Sequence, residues 1–187
     1  MSTTTRSARP RSIMRVAVIA VLAVLAATSC SVEESLTPPQ CFGGSSLIAA
    51  QSVPTAQLLP CFGGLPEGWS FATVMVNQSG TVVTLDSDRA GEGAATLRFE
   101  ESCDVGRAAS LPSPFEDVEH FEEIEQLQPS FRAHSYLRFD GGCVTWAFDF
   151  EKGASATESV ALEEVLEFVT REDVNNTIRE TFVDEDL

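Results

Sequence analysis

The fold is decided by residues 131–150, which read FRAHSYLRFDGGCVTWAFDF. Large apolar side chains alternate with polar ones on both sides of Asp140-Gly141, as they do in strands that bury one face. An Asp-Gly pair between two such runs favours a tight hairpin turn. We therefore expect an antiparallel hairpin at the heart of the core. Its inward positions are Phe131, Ala133, Ser135, Leu137 and Phe139, followed by Val144, Trp146, Phe148 and Phe150.

Three further strands are predicted upstream, at residues 69–77, 81–85 and 94–100, where period-two alternation recurs between short polar turns. Such spacing is typical of an antiparallel meander. In the first of these strands, Ala72, Val74 and Val76 are expected to share one face.

The connecting segments are harder to interpret. Residues 54–59 suggest one helical turn that Pro60 ends, and residues 103–114 read as a loop. Residues 116–127 fit a rough helical stripe or an extended edge segment, and we favour a strand.

The C-terminal third predicts two helices. Ser155 and Glu158 match a capping box, and an apolar stripe at helical spacing follows it, formed by Leu162, Val165, Leu166 and Val169. Thr170 and Asp173 resemble a second box. The fold class expected is α+β: an antiparallel sheet of about five to six strands, a meander plus a hairpin, with two C-terminal helices packed on one face.

Charge is distributed unevenly over the 187 residues, whose formal net charge is −16. All 28 acidic residues follow Cys30, so residues 31–187 carry eight basic against 28 acidic side chains, or −20. Such an acidic surface argues against nucleic-acid binding, which needs a basic patch. Four arginines instead precede the apolar run at residues 16–27. As a helix this run would be only about 18 Å long, too short to span the hydrocarbon core of a bilayer, which is about 30 Å thick. This is the layout of a secretory signal.

The run ends at Ala27-Thr28-Ser29-Cys30, which resembles the lipobox of bacterial lipoproteins, with Ala27 where Leu is usual. The resemblance implies that Cys30 is acylated and becomes the mature N-terminus. Ordinary signal cleavage and an uncleaved anchor helix remain alternatives, and all three place the rest of the chain outside the cytoplasm. The predicted organisation is a signal peptide (1–29), a lipid-anchored flexible linker (30–52), an α+β extracytoplasmic domain (53–183) and an acidic tail (184–187).

Four cysteines remain after Cys30, an even number that in an exported chain predicts two disulfides. Cys41–Cys61 with Cys103–Cys143 is the pairing we prefer among the three connectivities, because it links neighbours along the chain. A zinc site is disfavoured because no two of these cysteines are closely spaced.

Several phrases resemble an uncharacterised group of Gram-positive envelope proteins. They are Leu58-Leu59-Pro60-Cys61, Gly68-Trp69, residues 85–91, Cys103-Asp104-Val105 and residues 141–145. The resemblance implies an envelope location and a shared fold, and it transfers no site.

Candidate chemistry is sparse. Asp86 and Asp88 begin like a calcium loop but lack its later ligands, and the acidic run at residues 116–125 could attract cations or a basic partner, or form a solvated face. His120 and His134 are the only imidazoles, and no hydrolase motif accompanies them.

We therefore predict no catalytic, cofactor-binding or metal-binding residues. The function predicted is a non-enzymatic, lipid-anchored cell-envelope binding or accessory module. Its partners would be the membrane, through the lipid on Cys30, and an envelope protein, but no nucleic acid. The alternatives are a Ca²⁺-dependent binding module that uses Asp86, Asp88 or the acidic run at 116–125, and a small secreted hydrolase.

Overall fold

The computed structural model describes Cys41 and residues 50–183. In this part of the chain, residues 50–52 are helical, and nine strands and two helices follow them. The elements are β1 (Leu58–Phe62), β2 (Trp69–Asn77), β3 (Gly80–Ser87), β4 (Gly91–Glu100), β5 (Ala109–Leu111), β6 (Glu119–Gln126), β7 (Arg132–Phe139), β8 (Gly142–Asp149), α1 (Thr157–Glu164), β9 (Leu166–Thr170) and α2 (Arg171–Val183).

Seven strands form one antiparallel sheet in the order β2-β3-β4-β8-β7-β6-β5. The predicted meander is confirmed as β2-β3-β4, and the predicted hairpin as β7-β8, closed where Phe139 pairs with Gly142. Residues 119–126 are a strand, as favoured above. The antiparallel α+β architecture is therefore confirmed, but the strands outnumber the five to six expected.

The core lies on one face of this sheet, where the alternating side chains of β3, β4, β8 and β7 meet. Trp146 on the central strand β8 is fully buried, so it packs in the core. A second, two-stranded sheet of β1 and β9 packs against the same face. Phe62 of β1 lies 6.0 Å from the Trp146 ring and Phe168 of β9 lies 5.2 Å from Phe139, in edge-to-face contacts between ring centroids.

The C-terminal third contains two helices, as predicted, but the first is shorter than its apolar stripe indicated. Helix α1 ends at Glu164, and the second half of the predicted stripe is strand β9, which pairs antiparallel with β1. The first capping box is wrong, because the Ser155 hydroxyl accepts from the Thr157 amide and the Glu158 carboxylate pairs with Arg89 at 3.3 Å. The second box forms in part, since Thr170 Oγ1 accepts from the Asp173 amide at 3.0 Å and donates to Asp173 Oδ2 at 2.6 Å, next to the start of α2.

The N-terminal segment also differs from expectation. The helical turn predicted at 54–59 is wrong, because residues 58–62 form β1, where Pro60 pairs with Phe168. Residues 50–52, assigned to the linker from sequence, contribute Ala50 and Ser52 to the buried part of the domain, 4% and 8% exposed.

A guanidinium holds this N-terminal segment in place. The Arg171 side chain donates from Nε to the Ala56 carbonyl at 2.6 Å, and from Nη2 to the carbonyls of Val53 and Ala50 at 2.7 and 3.1 Å. The first residue of α2 therefore binds three backbone acceptors of the segment that leads into β1.

Two smaller corrections concern strand edges. Strand β2 contains a bulge at Ala72, between Phe71 paired with Leu85 and Thr73 paired with Thr84. The bulge separates Ala72 from the face that Val74 and Val76 share, and Trp69, Phe71 and Val74 are the more buried positions of the strand. The predicted loop at 103–114 includes the short edge strand β5.

The described helices include none that is both long and apolar enough to cross a bilayer.

Candidate functional site

Strand β6 turns polar side chains toward the interior of the domain. His120 pairs with Leu137 and Glu122 pairs with Ser135, and directly opposed residues share a face of the sheet. Leu137 and Ser135 are buried, so His120 and Glu122 lie on the inward face. Phe121 takes the outer face, where the Arg138 guanidinium lies 5.1 Å from its ring centroid. Strand β6 therefore carries polar side chains on its inward face as well as on its outer face.

Four residues of this region form what we call the His120 cluster: His120, Glu122, Ser135 and Glu163. His120 Nε2 and Ser135 Oγ lie 3.1 Å apart, and Ser135 is only 2% exposed. Glu163, near the end of α1, lies close enough to Ser135 for the serine hydroxyl to influence the pKa of its carboxyl. The cluster thus joins β6, β7 and α1 through polar groups at the margin of the core.

The environment of Glu163 favours its neutral form. Burial raises the pKa of this carboxyl above its ordinary value of 4.5, and the nearby Glu122 raises it further. The hydrogen bond with Ser135 and the charge of His120 lower the pKa, but they only partly offset the effect of burial. Glu163 therefore holds a proton more tightly than an exposed glutamate does.

The Ser135 hydroxyl has a single proton to donate, so it donates to His120 Nε2 or accepts from it according to the histidine tautomer. Their 3.1 Å contact links β6 to β7 through two inward polar side chains.

The cluster does not have the geometry of a catalytic triad. In a triad the carboxylate binds Nδ1 of the histidine and orients its ring toward the serine. Here the carboxyl of Glu163 lies on the serine side, and His120 Nδ1 is buried without a hydrogen-bond partner among the described residues. The buried hydroxyl of Ser135 is also closed to a substrate, so the arrangement does not present a nucleophile.

The acidic run at 116–125 is divided between the two faces of β6. On the outer face Glu119 binds Arg138 at 2.8 Å, Glu123 lies 3.8 Å from Arg107, and Glu125 lies 3.5 Å from His134. Because each of these carboxylates has a basic neighbour, the three attract a free cation less strongly than unpaired carboxylates would. His134 thus lies on the opposite face from His120, and the structure does not bring the two imidazoles together.

In the loop that resembles a calcium site, the Asp86 carboxylate is already hydrogen-bonded to the backbone. Asp86 Oδ1 accepts from the Gly93 amide at 2.7 Å, and the neighbouring Arg89 pairs with Glu158 at 3.3 Å. In the part of the chain that is described, no three His, Cys, Asp or Glu side chains are grouped to hold a metal ion.

The cysteines are joined as preferred from the sequence. Cys41 pairs with Cys61 in β1, and Cys103 pairs with Cys143 at the start of β8, with Cα atoms 4.9 and 5.8 Å apart. Cys30, like the rest of the predicted signal peptide and the tail at 184–187, lies outside the described residues.

Sequence reasoning placed Ser135 on the inward face but gave it no role. The signal was present, because a serine interrupts an otherwise apolar stripe and a buried hydroxyl needs a partner. Glu163 was missed altogether, because nothing local indicates that α1 brings it to Ser135, 28 residues earlier in the chain.

No protein-family model matches the chain, and neither a curated protein nor a solved structure matches it.

Proposed function

We propose that this protein is a non-enzymatic module of the cell envelope, anchored by a lipid on Cys30, that binds or assists a partner outside the membrane. The observation that carries the proposal is the use of the cysteines. Two disulfides account for every cysteine after Cys30, which leaves Cys30 alone at the end of the apolar run.

Redox chemistry supports the extracytoplasmic location. Disulfides persist in oxidising compartments and are rare where glutathione and thioredoxin keep thiols reduced. Loops of 20 and 40 residues are closed, which stabilises the fold by about 3 and 4 kcal/mol on the chain-entropy model. A domain that relies on such cross-links is suited to an exterior surface.

Membrane attachment follows from the composition around Cys30. Each buried methylene of an acyl chain contributes about 0.8 kcal/mol, so more than one chain makes a stable anchor. The domain itself carries the −20 charge of residues 31–187. An acidic body is repelled by an anionic bilayer, which supports a tether as the means of attachment.

Processing of the precursor tests the anchor. Globomycin, which blocks the lipoprotein signal peptidase, should leave unprocessed chain, and Cys30→Ser should abolish incorporation of labelled palmitate. Ser35→Ala, a nearby change that keeps Cys30, should be processed and labelled as the wild type is. Normal maturation in globomycin together with unlabelled protein would contradict lipidation.

A small secreted hydrolase is the alternative predicted from the sequence, and His120, 3.1 Å from the buried Ser135 hydroxyl, is the imidazole that tests it. An esterase and peptidase screen should compare the wild type with His120→Ala and with His134→Ala, which changes an outer-face imidazole. Turnover lost only in His120→Ala would favour the hydrolase over the binding module. Activity that is absent, or equal in all three proteins, would eliminate histidine-based hydrolysis.

A further inference from the structure

Strand β2 presents an unprotected edge. Among the strands that the structure describes, β2 pairs only with β3, so no described strand pairs with the backbone amides and carbonyls along its other edge. Such an edge is a template for pairing with another strand, and proteins usually block it with charges, prolines or short length.

The other strand edges of the domain are blocked in these ways. At the far end of the large sheet, β5 has three residues and is followed by Pro112 and Pro114. In the small sheet, β1 contains Pro60 and β9 contains Glu167. By contrast, β2 reads WSFATVMVN, nine residues without a charge or a proline. The contrast indicates that this edge is kept open.

The regular part of β2 has a midpoint. The bulge at Ala72 interrupts the strand, so that Thr73–Asn77 remains as an uninterrupted ladder against β3, with Met75 at its centre. Met75 on the outer face is 56% exposed, and Val76 on the inward face is 40% exposed. Apolar surface is therefore uncovered on both faces of the same short segment.

Charge selects the occupant of this edge. A second copy of the chain carries the same −20 over residues 31–187 and is repelled by most of this surface, but not along uncharged β2. A basic partner would instead be drawn to the acidic side chains elsewhere. The chemistry of the edge thus fits an equally acidic molecule that presents the same neutral strand.

We propose that β2 pairs antiparallel with β2 of a second copy about a two-fold axis at Met75, joining two seven-stranded sheets into one. In this register Met75 faces Met75 of the second copy, Val74 faces Val76, and Thr73 faces Asn77. Each pair lies on one face of the joined sheet, as antiparallel pairing requires, and no like charges are opposed.

Cysteine cross-linking of the full chain, with its native disulfides intact, tests this register. Directly opposed Cα atoms lie about 4.5–5.5 Å apart, within the range that a disulfide spans. Met75→Cys should therefore oxidise to a covalent dimer that reductant separates. Thr73→Cys should stay monomeric, because its two copies are about 13 Å apart along the strands. A mixture of Thr73→Cys with Asn77→Cys should cross-link again. Peptide mapping of Cys103–Cys143 controls for disulfide exchange.

Sedimentation equilibrium provides a measurement that needs no added thiol. The wild type should dimerise reversibly as its concentration approaches the millimolar range, and Met75→Lys, which opposes two ammonium groups on the axis, should abolish the dimer. Leu127→Lys, at a side chain 63% exposed and away from β2, should dimerise as the wild type does.

Several results would overturn the proposal. They are a wild type that stays monomeric, a Met75→Cys chain that does not cross-link, equal cross-linking of Thr73→Cys alone, or a cross-linked product whose mass is not twice that of the chain. The last result would assign the edge to a different protein, and the second would indicate that another segment of the same chain covers it.

Discussion

Arg171 offers the sharpest test of how the domain is held together. Its guanidinium binds the carbonyls of Ala50, Val53 and Ala56, all on residues less than 5% exposed. We consider Arg171→Lys, which preserves the charge and the helix propensity at the start of α2. A lysine ammonium is a compact charge on a flexible stem and lacks the planar fork that reaches several acceptors at once.

The magnitude follows from the number of bonds lost. A hydrogen bond to a charged group contributes about 1.5–3 kcal/mol. If lysine retains one of the three carbonyls, two bonds are lost, and water entering the site recovers part of the difference. We expect Arg171→Lys to lower the free energy of unfolding by about 3 kcal/mol, with a drop in melting temperature of about 10 °C.

Urea unfolding at neutral pH is the assay, with the free energy obtained by linear extrapolation. Arg132→Lys is the matched control, because Arg132 pairs with Asp149 at 3.3 Å where both side chains are well exposed, and such pairs contribute less than about 1 kcal/mol. Equal losses in the two variants, or a loss below about 1 kcal/mol in Arg171→Lys, would refute the role assigned to the guanidinium.

Three further predictions concern other parts of the domain. Because burial raises the folded-state pKa of Glu163, the folded chain binds this proton more tightly than the unfolded chain, so stability falls as pH rises through the raised pKa. Glu163→Gln should remove that fall, so the variant should gain stability relative to the wild type as pH approaches neutrality. Urea unfolding of both proteins between about pH 4 and pH 8 measures this, and parallel pH profiles of the two proteins would contradict it. Gly141→Ala should destabilise the fold by more than Gly106→Ala, since both glycines have positive φ but only at Gly141 would the new Cβ overlap the Thr55 carbonyl; equal thermal midpoints would count against this contact. Replacing Cys103 and Cys143 together with serine should lower the free energy of unfolding by about 4 kcal/mol, measured against the wild type in urea, and an unchanged midpoint would show that the 40-residue loop is otherwise constrained.

The hairpin β7-β8 was predictable because its information is local. Alternation over residues 131–150 and the Asp140-Gly141 turn specify both strands and their connection. The meander was predictable for the same reason. The bulge at Ala72 was not, because an extra residue in an edge strand leaves no mark on composition and changes only which side chains turn inward.

Strand β9 shows where local reasoning fails. Leu166 and Val169 continue the spacing of a helical stripe, yet residues 166–170 are extended because β1 requires a partner strand. Pro60 misled in the same way, since proline ends a helix but is tolerated in a strand with a single neighbour. Each error came from a contact between segments more than 100 residues apart, which no sequence window contains.

The candidate site was only partly accessible for a related reason. His120 and Ser135 were both noted from the sequence, the first as an imidazole and the second as an inward position. Their contact depends on the register of β6 against β7, and the proximity of Glu163 depends on where α1 packs. The sequence therefore indicated two residues of the His120 cluster but not the contact between them.

The disulfide between Cys41 and Cys61 determines how the domain would bear mechanical load. Tension applied to the chain before Cys41 passes through the sulfur atoms directly into β1 and bypasses residues 42–60. The carbonyls bound by Arg171 lie within this segment, so their hydrogen bonds carry none of the applied force. The force acts instead on β1 and on its hydrogen bonds to β9. A domain pulled from its N-terminal side would thus resist the force through the sheet of β1 and β9. Reduction of the Cys41–Cys61 disulfide would instead transmit the force through the segment that Arg171 binds.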